Sequence, residues 1–290
     1  MSSVLFDTPG PRTKARHRLY AVLATLFLLG LVALAVRRMY VTGQFEYELW
    51  EPFVTPAYIE AILVDGLLKT LQMAFTAVTF AVVFGLVFGT GKLSDRAYIR
   101  WPCWAVVEFF RAVPLLLLII FIFFTYGTGD GFGSYWSVVI GLTLYNGAVL
   151  AEVFRAGINA VPSGQAEAAY AIGMRKTQVM NVILLPQAVK IMLPAIISQC
   201  VVALKDTSLG YAVLAPGLTA VAKQVYTQFD NQFQTVIVVA GLYILSNLVL
   251  TWVATWIQKR FVGEKNVLAV TAVGTPASGA AGGMGGMGPV

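Results

Sequence analysis

Two polar stretches interrupt an otherwise apolar chain, and both hold side chains suited to recognition chemistry. In one, Lys205, Asp206, Thr207 and Ser208 follow one another at the end of the apolar run 187–204. An ammonium, a carboxylate and two hydroxyls in one short segment complement a zwitterion. Lys205 can face its carboxylate, Asp206 its ammonium, and Thr207 and Ser208 supply adaptable hydrogen bonds. The plainer alternative is that Lys205 and Asp206 pair with each other and end a helix. A further polar residue, Asn146, stands in the apolar middle of another run, where an Asn commonly hydrogen-bonds a neighbouring helix. The other stretch, 163–187, carries Gln165, Glu167, Ala168, Ala169 and Gly173. Here the chemistry is docking: two alanines let a partner surface come close, and Glu167 offers it one charge.

Neither stretch is built for catalysis. The chain has one histidine, His17, in a basic flank, and two cysteines, Cys103 and Cys200, in apolar surroundings. No catalytic triad or histidine-based metal site can be assembled from these, and no paired-acid or HExxH constellation occurs, so catalytic and metal residues are assigned to none. The run Gly89-Thr90-Gly91-Lys92-Leu93-Ser94 faintly suggests a phosphate loop. It fails that pattern, because Leu86 stands where the first glycine is needed and Leu93 where the hydroxyl residue is needed.

The 163–187 stretch has a further regularity. Glu167-Ala168-Ala169, Gly173, Ile183 and Leu185-Pro186 fall at the spacing of the EAA loop of bacterial ABC importer permeases, with every fixed position filled. The pentad Lys205 to Leu209 resembles the KDTSL segment of the polar amino acid uptake permeases, the histidine, glutamine and glutamate group. Glu108 to Leu115 partly resembles the FFRGTPLL segment of the same group, with Ala112-Val113 in place of Gly-Thr. With the run Ala151 to Ile158, the resemblance covers about residues 66–257. The opening Leu5 to Pro11 and the extra first span are also similar to the actinobacterial glutamate-uptake permeases.

The resemblance implies an all-α integral membrane fold of the type I ABC importer kind. In that family the first short helix of the loop is the coupling helix, so Gln165, Glu167, Ala168, Ala169 and Gly173 are expected at the ATPase. It further implies an ABC ATPase dimer that carries ATP and magnesium, a second permease subunit, identical or homologous, and an extracytoplasmic amino acid-binding protein. This chain then needs no cofactor of its own. Lys205, Asp206, Thr207, Ser208 and Asn146 are the expected residues of the translocation path or its gate.

The elements that must hold these residues can be read from composition. Of the 290 residues, 58% are hydrophobic and only 12% charged, with mean hydropathy +0.76. A soluble domain carries about twice that charged fraction. Apolar runs near 19–36, 66–91, 104–126, 135–151, 187–204 and 233–257 predict about six transmembrane helices embedded in the lipid bilayer. A signal peptide is the competing reading of the first run, but Arg37 and Arg38 follow it at once and favour an uncleaved span. Ala81, Gly85 and Gly89 lie four apart, the spacing for close helix packing.

The net charge of +6 need not mean nucleic acid, because basic residues gather in cytoplasmic loops of membrane proteins. With the N-terminus inside, Arg12, Lys14, Arg16, Arg18, Lys92, Arg96, Arg100, Arg111, Arg155, Arg175, Lys176, Lys190, Lys259, Arg260 and Lys265 are cytoplasmic. Those are 15 of the 20 basic residues. Both termini and the loop are thus expected in the cytoplasm of a bacterial cell, with the protein multi-pass in the plasma membrane.

Four regions result: a basic N-terminus 1–18, an extra first span with an outer segment 19–65, the permease domain 66–260, and a Gly/Ala-rich tail 261–290 expected to be disordered. Within the loop, Ser163 is expected to cap one short helix, Gly173 to end it, and Thr177 to cap a second short helix running into Pro186. Glu108 and Arg111, three apart, are expected to pair. Two other function classes remain to be weighed. A self-contained secondary transporter or channel usually has repeated halves and several buried charges, and neither is visible here. A membrane enzyme needs a catalytic constellation, and none is present.

Overall fold

A computed structural model describes residues 10–262 of the chain, and the Gly/Ala-rich tail and residues 1–9 lie outside the described residues. Every regular element among the described residues is helical. Pro11–Val41 forms α1, with proline in its first turn, where a missing N–H costs nothing. Short turns of helix follow at α2, Tyr47–Trp50, and α3, Pro56–Glu60. Helix α3 does not stop. It continues through a wider turn at Ala61–Leu68 into α4, Lys69–Lys92, so that one helix runs from Pro56 to Lys92. The second span therefore begins before Gly66, and the acidic segment ahead of it is partly its own first turns.

The expected third span is broken. Ala97–Ala112, α5, and α6, Leu115–Ile122, meet at a bend of 101°. Pro114 explains the break: it has no N–H for the ladder and forces Val113 into extended backbone, with ψ 128°. Next come α7, Gly133–Asn159, α8, Ser163–Ala171, and α9, Lys176–Gln178. From α9 the helix runs on through a wide turn at Val179–Leu184 into α10, Leu185–Asp206. Pro186 thus begins α10 rather than ending a short helix, and the wide turn just before it gives the proline ring room. A tight 3-10 stretch, Thr207–Val213, then leads to α11, Leu218–Phe229, and α12, Gln232–Val262. Five of these helices are long and apolar enough to cross a bilayer, or six if the bent pair counts as one span.

The centre of the bundle is the contact of α4 with α7. Ala81 is wholly buried, and a Cβ on Gly89 would come within 2.7 Å of the Ala151 carbonyl and 3.0 Å of Phe154 Cβ. Small residues on one stripe of α4 therefore let α7 lie against its backbone, as the spacing suggested. Leu150 and Phe154 fill the layer that results, joined by Ile158, Val161, Ala188 and Met192.

Gly89→Ala is expected to cost about 1–3 kcal/mol through overpacking against a backbone atom that cannot yield. Thermal unfolding of the detergent-solubilised protein should show the loss, whereas Gly30→Ala, whose Cβ meets nothing within 4 Å, should unfold as the parent does.

Candidate functional site

The docking loop is built from its C-cap outward. Gly173 has φ +81°, its N–H donates to the Tyr170 carbonyl at 2.9 Å, and the Met174 N–H reaches the Ala169 carbonyl at 3.2 Å. This is a Schellman cap with glycine at the left-handed position, as its place in the sequence predicts. The N-terminal expectations need correcting. Pro162 occupies the cap position and Ser163 is the first helical residue, without a side-chain cap bond. Arg175, not Thr177, caps α9, and its N–H is taken by the Gln178 side chain at 2.9 Å.

Ala169 is the buried residue of α8, so it seats the helix on the bundle. Gln165, Glu167 and Ala168 are exposed, and Glu167 makes no ion pair among the described residues. Beside them Tyr170 and Ile172 are 47% and 79% exposed. Sequence reasoning passed over these two, although an apolar pair next to the Ala-rich run was there to be read. Two tethers were also missed. Gln187 Nε2 donates to Gln165 Oε1 at 3.4 Å, and Lys176 pairs with Asp95 in the turn before α5.

The polar segment sits at the far end of α10 from this loop. Lys205 is exposed, Asp206 half-buried, and neither joins an ion pair among the described residues. The mutual pairing considered from sequence is therefore not formed, since neighbouring helical residues point about 100° apart. Thr207 is buried and turned inward, its hydroxyl donating to the Leu204 carbonyl at 2.6 Å, while Ser208 is half-buried. Asn146 does not join them. Its Oδ1 accepts from Gln199 Nε2 at 2.5 Å, bridging α7 to α10 about two turns before Asp206. That is the helix-joining role, and Gln199 is the partner sequence reasoning did not name.

A third cluster was only half foreseen. The Arg111 guanidinium donates to Glu108 at 3.1 Å, as the spacing predicts. Glu108 is shared, however, with Lys92 Nζ at 3.2 Å, and Lys92 also pairs with Glu152, which Arg155 holds at 2.9 Å. The result is an alternating chain of five charges across α5, α4 and α7. Lys92 is its centre, with a side chain only 6% exposed, rather than a member of a solvated turn. Two carboxylates on one buried ammonium compensate its charge and take two of its three N–H donors, which is what burial of a charge demands.

Comparison with known proteins bears on all three clusters. Residues 71–263 match the family described as "Binding-protein-dependent transport system inner membrane component". The chain belongs to that family. The permease is 38% identical, over 78% of its length, to the glutamate transport system permease protein GluD of Corynebacterium glutamicum, covering 86% of it. It is also 36% identical to the probable glutamine ABC transporter permease GlnP of Bacillus subtilis, over 54% of this chain and 73% of that protein. Among solved structures it resembles a chain of an amino acid ABC transporter crystallised with histidines. There the TM-score is 0.65 and the identity 28%, over 70% of this chain and 96% of the other. The all-α membrane fold is thus that of the type I importer permeases, and the matched region includes the loop, the polar segment and Lys92. Helix α1 lies outside it.

In the permease, Lys92→Met removes the buried cation that Glu108 and Glu152 share, leaving one to Arg111 and the other to Arg155, and is expected to cost about 3 kcal/mol. The triple variant Lys92→Met, Glu108→Gln, Glu152→Gln should recover much of that loss. Thermal unfolding of the four proteins (parent, Lys92→Met, the double Gln and the triple) checks it, and a triple variant no more stable than Lys92→Met would show that the three residues do not act as one network.

Proposed function

We propose that this permease forms half of the translocation path of an ATP-driven importer of a polar amino acid, glutamate or glutamine. In this reading α8 is the coupling helix and faces the cytoplasm, as do both termini. An ATPase dimer that binds ATP and magnesium docks on it, a second permease subunit completes the path, and a binding protein delivers substrate from outside. The observation that carries the reading is the outward face of α8. Glu167 lacks a counter-ion among the described residues, and Tyr170 and Ile172 are exposed on a helix held by one buried alanine and a rigid cap. An exposed apolar pair beside an unpaired charge is the composition of an interface. For the substrate, support comes from the Lys205 to Leu209 pentad and from the names of the glutamate and glutamine relatives. Asp206 adds to it: a half-buried carboxylate at a helix C-terminus opposes the helix dipole, and an ammonium would relieve that cost.

Coupling is tested at Gly173. A Cβ there meets nothing within 4 Å, so only the backbone angle resists substitution. Gly173→Asn, which tolerates that angle, should transport nearly as the parent does. Gly173→Val should lose about 1–2 kcal/mol at the turn and uncouple ATP hydrolysis from uptake. Glu167→Lys should weaken ATPase association about tenfold. Normal association and normal uptake in Gly173→Val and Glu167→Lys together would remove α8 from coupling.

Sidedness and substrate contact have their own tests. A cysteine at Ser163 should be labelled only from the cytoplasm and one at Gly131 only from outside. Asp206→Asn should reduce uptake about tenfold, with assembly and basal ATPase activity kept. Parental uptake in that variant would leave Asp206 as a helix end and nothing more.

A further inference from the structure

Beside the Lys92 network lies a cavity of about 550 Å³, bounded by Lys92, Arg100, Trp101, Trp104, Glu152 and Arg155. Its charges are unequal. Glu152 is held by Lys92 and Arg155, and Glu108, which also borders the cavity, is held by Lys92 and Arg111, so neither carboxylate is free. Arg100 is different: among the described residues its side chain makes one hydrogen bond, from Nη1 to the Ser94 carbonyl at 3.4 Å, and no ion pair. Arg155 uses Nε and Nη2 on Glu152, which leaves Nη1 to the cavity. Three cations against two engaged carboxylates leave the site one positive charge in excess.

Its position selects the kind of anion. Lys92 ends α4 and Glu152 lies in the last two turns of α7, so the cavity is at the docking-loop end of the spans. Trp101 and Trp104 stand edge to face, 5.8 Å apart, and are 61% and 47% exposed on the outer surface of α5. Tryptophans exposed at the end of a span mark the level of lipid headgroups, and basic residues at that level attract anionic lipids. We infer that this cavity is a binding site for the phosphodiester headgroup of an anionic phospholipid. Arg100 and the free edge of Arg155 receive the phosphate, and the two indoles rest at the glycerol and upper acyl level. A soluble phosphate satisfies the arginines and leaves the indoles without an apolar partner, and a zwitterionic headgroup brings its own cation to a site already in positive excess. The inference requires only that the spans lie in a bilayer, and it is independent of substrate and sidedness.

The test uses the full transporter, purified with its ATPase and reconstituted in nanodiscs of equal phosphatidylglycerol and phosphatidylcholine. Lipids retained through mild detergent extraction are read by native mass spectrometry. The parent should retain phosphatidylglycerol in preference to phosphatidylcholine. Arg100→Ala should reduce that preference about fivefold, the effect of one basic residue at an anionic surface. Arg100→Lys should keep most of it, and Arg96→Ala, whose guanidinium already lies on the Tyr98 hydroxyl at 2.8 Å, should keep nearly all. Because Arg100 is exposed, the variants should assemble normally, and co-purification of ATPase checks that they do. No lipid preference in the parent, or an undiminished one in Arg100→Ala, overturns the inference. Equal displacement of phosphatidylglycerol by inorganic phosphate also overturns it, by making the ligand a soluble anion.

Discussion

The rest of the structure depends on the close approach of α4 to α7. In a bilayer, lipid chains are as apolar as leucine, so hydrophobicity alone does not hold two spans together and van der Waals contact must. Gly85 and Gly89 give that contact by bringing Leu150, Ala151 and Phe154 onto the α4 backbone. Helix α7 then becomes the hub. Gly141 receives Ile119 of α6, Gly157 receives Met192 of α10, and the Asn146–Gln199 bridge fixes the height of α10. The Lys92 network completes the arrangement by holding the ends of α4, α5 and α7 together through charge.

That arrangement links the two polar stretches physically. Few residues separate the end of α7 from α8, and Ile158 and Val161 are buried with Ala188 and Met192 of α10. The end of α7 and the short linker into α8 are thus packed directly on α10, and Asp206 ends α10. The wide turn at Val179–Leu184 stands between α9 and α10, where the i→i−4 ladder is already relaxed and bending costs least. Under the proposed function this is the route by which ATPase motion reaches the substrate segment.

Much of this was legible from residues alone. The spans followed from apolar runs, the α4 stripe from three small residues four apart, and the left-handed cap from the place of Gly173. What escaped reading depended on contacts distant in sequence. Nothing in the local pattern around Lys92 says that Glu108 and Glu152 arrive from two other helices, and Gln199 looks like any polar residue near a helix end. The break at Pro114 was legible in principle, because a proline in an apolar run is the ordinary cause of a bend, but hydropathy averages over it. Pro186 misled in the opposite sense. It reads as a terminus and stands within a continuous helix because a wide turn precedes it.

Helix α1 shows the limit of reading burial from apolarity. Its apolar residues are distributed all round, and none of its most apolar eighteen-residue stretch is buried, so it has no face that specifies a protein neighbour. Among the described residues its polar attachment is confined to one end. Asn231 Nδ2 donates to the Leu49 carbonyl at 2.8 Å, and the fully buried Gln234 donates to the Gln44 carbonyl at 2.6 Å, just beyond the last turn of α1. A span tied through a few hydrogen bonds just past its exit can be gained or lost without disturbing the α4–α7 core. That accords with a family match that begins at residue 71, inside α4 and well past α1.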